Sequence, residues 1–120
     1  MSPRPVIKKV MTVELGPKSW GSEVLFAHTE TYIGKILRMN KGSGGPLQYH
    51  RTKDETFCLL DGRARVTYHT ADGATRRVTM YAGESYHVPP GAVHQVEALS
   101  DCIFIEASNP VFDDRVAVDE

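Results

Sequence analysis

Short runs of β-forming residues, each closed by a glycine or proline turn, constrain the fold of this 120-residue chain more than any other feature. The clearest turn is Asp72-Gly73, which separates two alternating runs at 62–70 and 74–81. Asp-Gly between such runs is a strong hairpin signal. No run of about ten residues has the periodicity of an amphipathic helix. The pattern therefore predicts an all-β domain.

The length of the chain limits the number of domains, and its net charge limits the kinds of partner. A chain of 120 residues supports one hydrophobic core, so we expect a single domain over 1–120, with a flexible start at 1–5 and a tail at 108–120. The formal net charge of −1 gives no reason to expect nucleic acid or a membrane as a partner. The chain has no apolar run of ~18 residues and no signal-peptide core at its start, which predicts a cytoplasmic protein.

The stretch 44–62, GGPLQYHRTKDETFCLLDG, contains side chains that favour metal binding. Gln48 and His50 are two residues apart, so on a strand both side chains lie on the same face. The polar run 51–54 predicts a turn capped by charged residues, for which solvation is the simplest interpretation, and Glu55 begins the next strand. If the two strands pair, an amide, an imidazole and a carboxylate converge. Together they form a partial shell for a divalent metal.

A second stretch, 83–94, supplies a further ligand. It reads GESYHVPPGAVH, with a short strand after Gly83 and a rigid turn at 89–91. His94 begins the strand that follows this turn. His87 alternates with the inward positions of the short strand, and we expect it to be structural or exposed.

The spacings within these two stretches closely resemble the two motifs of the cupin superfamily. The first motif departs once, because Thr52 stands where the family has a second histidine. The second departs only at its last position, where Ala98 replaces an asparagine. The resemblance implies a double-sheet jelly roll, the cupin barrel, with a metal held at its mouth by inward-facing side chains.

A narrower resemblance covers most of the chain and concerns the cupin domain of mannose-6-phosphate isomerases. The matching segments are 20–21, 32–37, 47–50, 53–55 and 106–119. In that group a glutamine, two histidines and a glutamate hold the metal, which implies Gln48, His50, Glu55 and His94 here. Gln48 then stands in for the histidine that is missing at Thr52. Oxygen and nitrogen ligands without a thiolate suit zinc, manganese, iron or nickel.

The resemblance implies a metal-dependent aldose–ketose isomerase acting on a sugar or sugar phosphate. Such a reaction needs a general base, for which Glu97 and Tyr86 are the candidates. Lys35 shares a strand face with apolar residues, so it lies either at the rim of the sheet or in a partly wet cavity. In the cavity Lys35, like Arg51, would contact an anionic group of the substrate.

The ligand pattern is also compatible with two other functions. Two histidines and a carboxylate also resemble the ligand set of non-haem iron enzymes, which favours a dioxygenase, a cyclase or a decarboxylase. A non-catalytic cupin that binds a small molecule would use the same pocket. In each case the partner is a small molecule, and the isomerase interpretation makes it sugar-like.

The ends of the chain and the outer face of the barrel bear on assembly. The run 6–15 is rich in β-branched residues and predicts a strand that ends at Gly16 and Pro17. Leading strands of cupins often pair with a second subunit, and three residues of the first motif face outward: Thr56, Cys58 and Leu60. We therefore expect a homodimer. The tail predicts a short helix or an extended cover, and both cysteines are expected to be free thiols in strands.

Overall fold

The computed structural model describes residues 4–118, which form eleven β-strands and no helix. The strands are β1 (Val13–Lys18), β2 (Gly21–His28), β3 (Ile33–Met39), β4 (Gln48–His50), β5 (Glu55–Asp61), β6 (Arg63–His69), β7 (Thr75–Tyr81), β8 (Ser85–Val88), β9 (His94–Ala98), β10 (Cys102–Ser108) and β11 (Arg115–Ala117). The predicted all-β class is confirmed. Within the described part of the chain, no helix is long and apolar enough to cross a membrane.

The strands form two antiparallel sheets. The larger sheet has the order β1-β2-β3-β10-β5-β8, and the smaller has the order β11-β4-β9-β6-β7. Strands β6 and β7 form the predicted hairpin around Asp72-Gly73, with Arg63 opposite Tyr81 and His69 opposite Thr75. The other neighbours are mostly distant in sequence, as β10 between β3 and β5 shows. This arrangement agrees with the predicted jelly roll.

The core lies between the inner faces of the two sheets. Alternate residues of each strand point inward, so Phe57 and Leu59 of β5 meet Ala64 and Val66 of β6. The remaining members of this apolar cluster are Met80, Val88, Ala98, Cys102 and Phe104. Cys58 and Cys102 are free and lie in strands, as predicted. The apolar cluster leaves one end of the barrel to polar side chains.

The N-terminal region differs from the prediction. A strand was expected over 6–15, whereas residues 4–12 form no strand and β1 runs from Val13 to Lys18. Gly16 and Pro17 do not end the strand but lie within it, at an irregularity in the pairing with β2. A proline is compatible with this position because β1 is the edge of its sheet. Residues 1–3 of the expected flexible start lie outside the described part.

The C-terminal tail is an extended cover rather than a helix. It leaves the larger sheet after β10 and crosses to the smaller sheet, where β11 pairs with β4. Arg115 lies opposite His50, and Ala117 lies opposite Gln48. The tail therefore borders the first motif. Its last two residues, 119–120, lie outside the described part.

Candidate metal centre

Three side chains converge at the polar end of the barrel: His50, Glu55 and His94. Their donor atoms all lie within 4.8 Å of one another. His50 ends β4 and His94 begins β9, both in the smaller sheet, whereas Glu55 begins β5 in the larger sheet. All three are buried. A metal bound here would link the two sheets.

The distances within this cluster fit a metal ion. Glu55 Oε1 lies 3.4 Å from His50 Nε2 and 3.6 Å from His94 Nε2. Metal–ligand bonds of about 2.0–2.2 Å at tetrahedral or octahedral angles place neighbouring donor atoms about 2.8–3.6 Å apart. The donor set, two imidazoles and one carboxylate, suits a divalent metal.

Both imidazole rings are oriented by partners on their other nitrogen. His50 Nδ1 lies 3.1 Å from Asp114 Oδ1, and His94 Nδ1 lies 2.9 Å from the carbonyl oxygen of Ala92. Each contact favours the tautomer with the proton on Nδ1. The Nε2 lone pairs are then directed toward Glu55, which is the usual arrangement of metal-binding histidines.

Charges around the cluster keep Glu55 ionised. Burial alone would raise the pKa of Glu55, but the His50 and His94 rings, which donate to Glu55 when they are protonated, and the charge of Lys53 lower it well below its usual range. The nearby Glu55 carboxylate in turn favours protonated His50 and raises the pKa of that ring, against the opposing effect of burial. Glu55 is therefore available as an anionic ligand, while a proton competes with a metal for His50.

Lys53 is buried beside the cluster, which corrects the prediction that the charged residues of the 51–54 turn are solvated. Only 4% of Lys53 is exposed, while Arg51 and Asp54 are exposed. Arg51 does not line the cavity over the cluster, so its predicted contact with an anionic group of the substrate is not supported. Its ammonium lies 2.8 Å from Glu106 Oε1 and 3.3 Å from Glu55 Oε2. Burial and the charge of Glu55 raise the pKa of Glu106, although Lys53 opposes this rise. A buried ionic network thus adjoins the ligands.

Lys35 is in the cavity rather than at an exposed rim. It is 6% exposed, and its ammonium lies 2.7 Å from Glu23 Oε1. Lys35 is also the cross-strand neighbour of Glu106, and it lies 5.4 Å from the ring centre of Phe112. Positive and negative side chains therefore alternate across this end of the larger sheet.

An open cavity of about 620 Å³ lies over the cluster. All three ligands line it, together with Lys35, Lys53 and Glu106. Gln48 lines it as well and is half-buried, which is compatible with the predicted fourth ligand. Its contact with a metal stays a prediction. At the other side, aromatic rings of Trp20 and Phe112 contribute to the wall.

The two predicted general bases do not line this cavity. Glu97 alternates with the inward residues of β9, so it lies on the outer face, 3.7 Å from Arg65. It borders a shallow depression beside Gly44 instead. Tyr86 packs on Phe57, with ring centres 6.1 Å apart. Neither side chain is placed to exchange a proton with a molecule above the cluster.

Glu106 and Asp114 belong to the site but were not predicted from the sequence. Glu106 lies in β10 with the same parity as Phe104 and Cys102, so the alternation along this strand indicates a carboxylate that points inward. Asp114 lies in the tail, 64 residues from His50, and no local pattern connects the two. His87 is exposed and contacts Asp54 at 2.6 Å, as expected for a residue outside the site.

The sequence matches a known protein family. The profile of the cupin domain matches residues 35–107, which is more than half of the chain and includes all three converging ligands. A curated relative, an oxalate decarboxylase of Arthroderma benhamiae, is 30% identical over 95 residues. The match covers 77% of this chain but only 22% of that protein.

Solved structures show the same fold. The capsular polysaccharide assembling protein CapF of Staphylococcus aureus superposes with a TM-score of 0.78 at 18% identity, over 93% of this chain and 33% of CapF. An oxalate decarboxylase of Bacillus subtilis, which has Mn(II) centres, gives a TM-score of 0.70 at 22% identity, over 85% of this chain and 29% of that one. This chain thus spans a third or less of these proteins, and the narrower likeness to mannose-6-phosphate isomerases stays a prediction.

Proposed function

Because the chain belongs to the cupin family, we propose that it is a metal-dependent enzyme acting on a small, oxygen-rich carbonyl compound. The substrate class we propose is a sugar or sugar phosphate, and the reaction is aldose–ketose isomerisation. One observation carries the proposal: His50, Glu55 and His94 converge beneath an open cavity that also contains buried lysines and a further carboxylate.

The charges that line the cavity favour an anionic or electron-rich substrate. Four cations, Lys18, Lys35, Lys53 and Arg115, are matched by four anions, Glu23, Glu55, Glu106 and Asp113. A divalent ion would leave this set with an excess of positive charge. The excess stabilises negative charge that develops on substrate oxygens during enolisation.

When bound, a divalent ion supplies a Lewis acid that polarises the carbonyl and the adjacent hydroxyl oxygen. The chain supplies the remaining groups. Lys35 faces the same cavity, where it can contact a hydroxyl or an anionic group, in competition with Glu23. Trp20 and Phe112 offer apolar surface for the carbon skeleton.

Glu106 takes over the role that the sequence assigned to Glu97 or Tyr86. It lines the cavity, and one ammonium group, that of Lys53, contacts both Glu106 and the ligand Glu55. A carboxylate at this position would lie beside a molecule bound at the cluster, as proton transfer between neighbouring carbons requires. We expect Glu106→Gln to lower kcat by about 10²–10⁴-fold, with a small effect on KM.

A coupled assay over a panel of sugars and sugar phosphates tests the proposal. The panel includes mannose-6-phosphate and fructose-6-phosphate, with zinc, manganese, nickel and iron supplied in turn. The Mn(II) centres of the Bacillus subtilis relative make manganese the first choice. Turnover by the loaded protein, and none by chelated protein or by His94→Ala, is the expected result. If no pair is interconverted with any metal, the isomerase proposal fails.

Decarboxylation of a small carboxylate is the second candidate. The oxalate decarboxylase of Arthroderma benhamiae, at 30% identity, favours it. The same cation-lined cavity would accept a carboxylate beside the cluster. Release of carbon dioxide from oxalate and related acids, measured with the same four metals, separates the two reactions. Ligand binding without turnover in either assay would indicate a non-catalytic cupin.

We also propose that the protein is a cytoplasmic homodimer. The segment 4–12 makes no strand pairing, and its apolar residues Val6, Ile7 and Met11 are exposed, as is Leu60 on the outer face of β5. A second copy would cover this surface. Light scattering should give a dimer mass, and a monomer mass at every concentration would contradict the dimer. The two free cysteines fit a reducing compartment, which cell fractionation tests.

A further inference from the structure

Asp114 joins the C-terminal tail to the metal ligands, although it is not a ligand itself. It immediately precedes β11, whose first residue pairs with His50. The backbone carbonyl of Asp114 accepts a hydrogen bond from the amide of Arg51 at 3.3 Å. The tail therefore positions the Asp114 carboxylate against the turn that connects His50 to Glu55.

Each oxygen of this carboxylate has a separate task. Oδ1 lies 3.1 Å from His50 Nδ1. Oδ2 accepts hydrogen bonds from the Thr52 amide at 2.5 Å, the Thr52 hydroxyl at 2.9 Å and the Lys53 amide at 3.0 Å. One side chain thus holds both the ring of the first ligand and the turn that leads to the second.

Thr52 has its own part in this arrangement. It occupies the position where the cupin motif has a second histidine, and its hydroxyl donates to Asp114. The threonine that replaces the second histidine of the motif therefore holds the carboxylate of Asp114. His94 is oriented differently, because its Nδ1 contacts a backbone carbonyl that no side-chain substitution removes. His94 serves as an internal reference for His50.

We infer that Asp114 is a positioning residue for metal capture, which fixes the tautomer of His50 and the turn between His50 and Glu55. With the proton held on Nδ1, the Nε2 lone pair of His50 faces the cluster. The inference concerns metal binding and rests on that part of the proposed function. It is independent of which reaction follows.

Asp114→Asn separates the two tasks, because an amide has only one acceptor oxygen. If that oxygen faces the turn, the amide nitrogen donates to His50 Nδ1 and the ring must carry its proton on Nε2. If the oxygen faces His50, the amide nitrogen opposes three donors of the turn. The turn offers three donors and the His50 ring only one, so the oxygen should face the turn and the tautomer of His50 should change. Metal binding is weakened, and we expect a 10–100-fold rise in Kd for Mn²⁺ and Zn²⁺.

The experiment measures Kd by competition with a chromophoric chelator, and the tautomers by ¹⁵N shifts of the histidine rings in the metal-free protein. Asp54→Asn is the matched control: it removes a carboxylate charge from the same turn, but Asp54 is exposed and contacts His87 instead of His50 or Thr52. We expect its Kd to stay within twofold of wild type. In Asp114→Asn the tautomer equilibrium of His50 should shift, while that of His94 should not.

Three results would overturn the inference: a Kd within threefold of wild type for Asp114→Asn, equal losses in both variants, or an unchanged His50 tautomer. If Asp114→Asn does not fold, Asp114→Glu keeps the charge but displaces the carboxylate. A rise of at least threefold in Kd is then expected, and an unchanged Kd overturns the inference. Metal binding by the wild-type protein tests the proposed metal site itself. A failure of that proposal can therefore be distinguished from a failure of the inference about Asp114.

Discussion

Removing the ammonium group of Lys53 should strongly destabilise the metal-free protein. The ammonium lies 2.8 Å from Glu106 and 3.3 Å from Glu55, and only 5% of the side chain is exposed. Lys53→Met would leave two buried carboxylates without their shared cation. Breaking a buried ion pair in this way costs about 3–5 kcal/mol.

That free energy corresponds to a large change in melting temperature. An unfolding entropy of about 2.1 cal/mol/K per residue gives about 0.25 kcal/mol per kelvin for this chain, so Tm should fall by about 12–20 °C. Glu106 already has a raised pKa, and the loss of Lys53 would raise it further. A carboxyl group with a raised pKa takes up a proton as the pH is lowered, and the neutral form costs less to bury. The fall in Tm caused by Lys53→Met should therefore become smaller at lower pH.

Thermal unfolding followed by circular dichroism, in the presence of a chelator, measures this effect. Lys41→Met is the matched control, because the Lys41 side chain is exposed. The hydrogen bond from Lys41 to Asp101 uses the backbone amide, which the substitution keeps. We expect the control to stay within about 0.5 kcal/mol of wild type. A Tm of Lys53→Met within about 4 °C of wild type would refute the electrostatic role of Lys53.

Three further predictions concern the ligands. Gln48→Ala should lower metal content, while Thr52→Ala should keep full occupancy because the Thr52 and Lys53 amides still hold Asp114. Equal metal content in wild type and Gln48→Ala would show that Gln48 is not a ligand. Removing metal held at a hundredfold excess over Kd should cost about 2.7 kcal/mol, or about 11 °C in Tm, without unfolding the barrel, and His94→Ala should have the same Tm with and without metal. The pKa of His50 lies above its ordinary value of 6.5, and a proton on this ring competes with the metal. Metal affinity should therefore fall about tenfold for each pH unit below that raised pKa. A constant Kd between about pH 8 and 5 would contradict this.

The converging ligands were predictable because they depend on local rules. Alternation along β4 and the turn at 51–54 determine where His50 and Glu55 point, and the turn before β9 places His94. The same alternation places Glu97 on the outer face, which argues against its predicted catalytic role.

The supporting residues depend on contacts that no local pattern encodes. Lys53 lies in a polar run that predicts solvation, but Glu106, 53 residues later, provides the buried partner. Asp114 reaches His50 only because the tail crosses to the smaller sheet. The extent of β1 also depends on its partner, since β2 supplies the pairing that carries the strand past Gly16 and Pro17.

Anomalous diffraction from a crystal grown with Mn²⁺ or Zn²⁺ tests the central claim most directly. Data collected on both sides of the metal's absorption edge identify the ion and its position. The account predicts one anomalous peak per chain, about 2.0–2.2 Å from His50 Nε2, Glu55 Oε1 and His94 Nε2 for zinc. A metal-saturated crystal with no peak between these three side chains would contradict it.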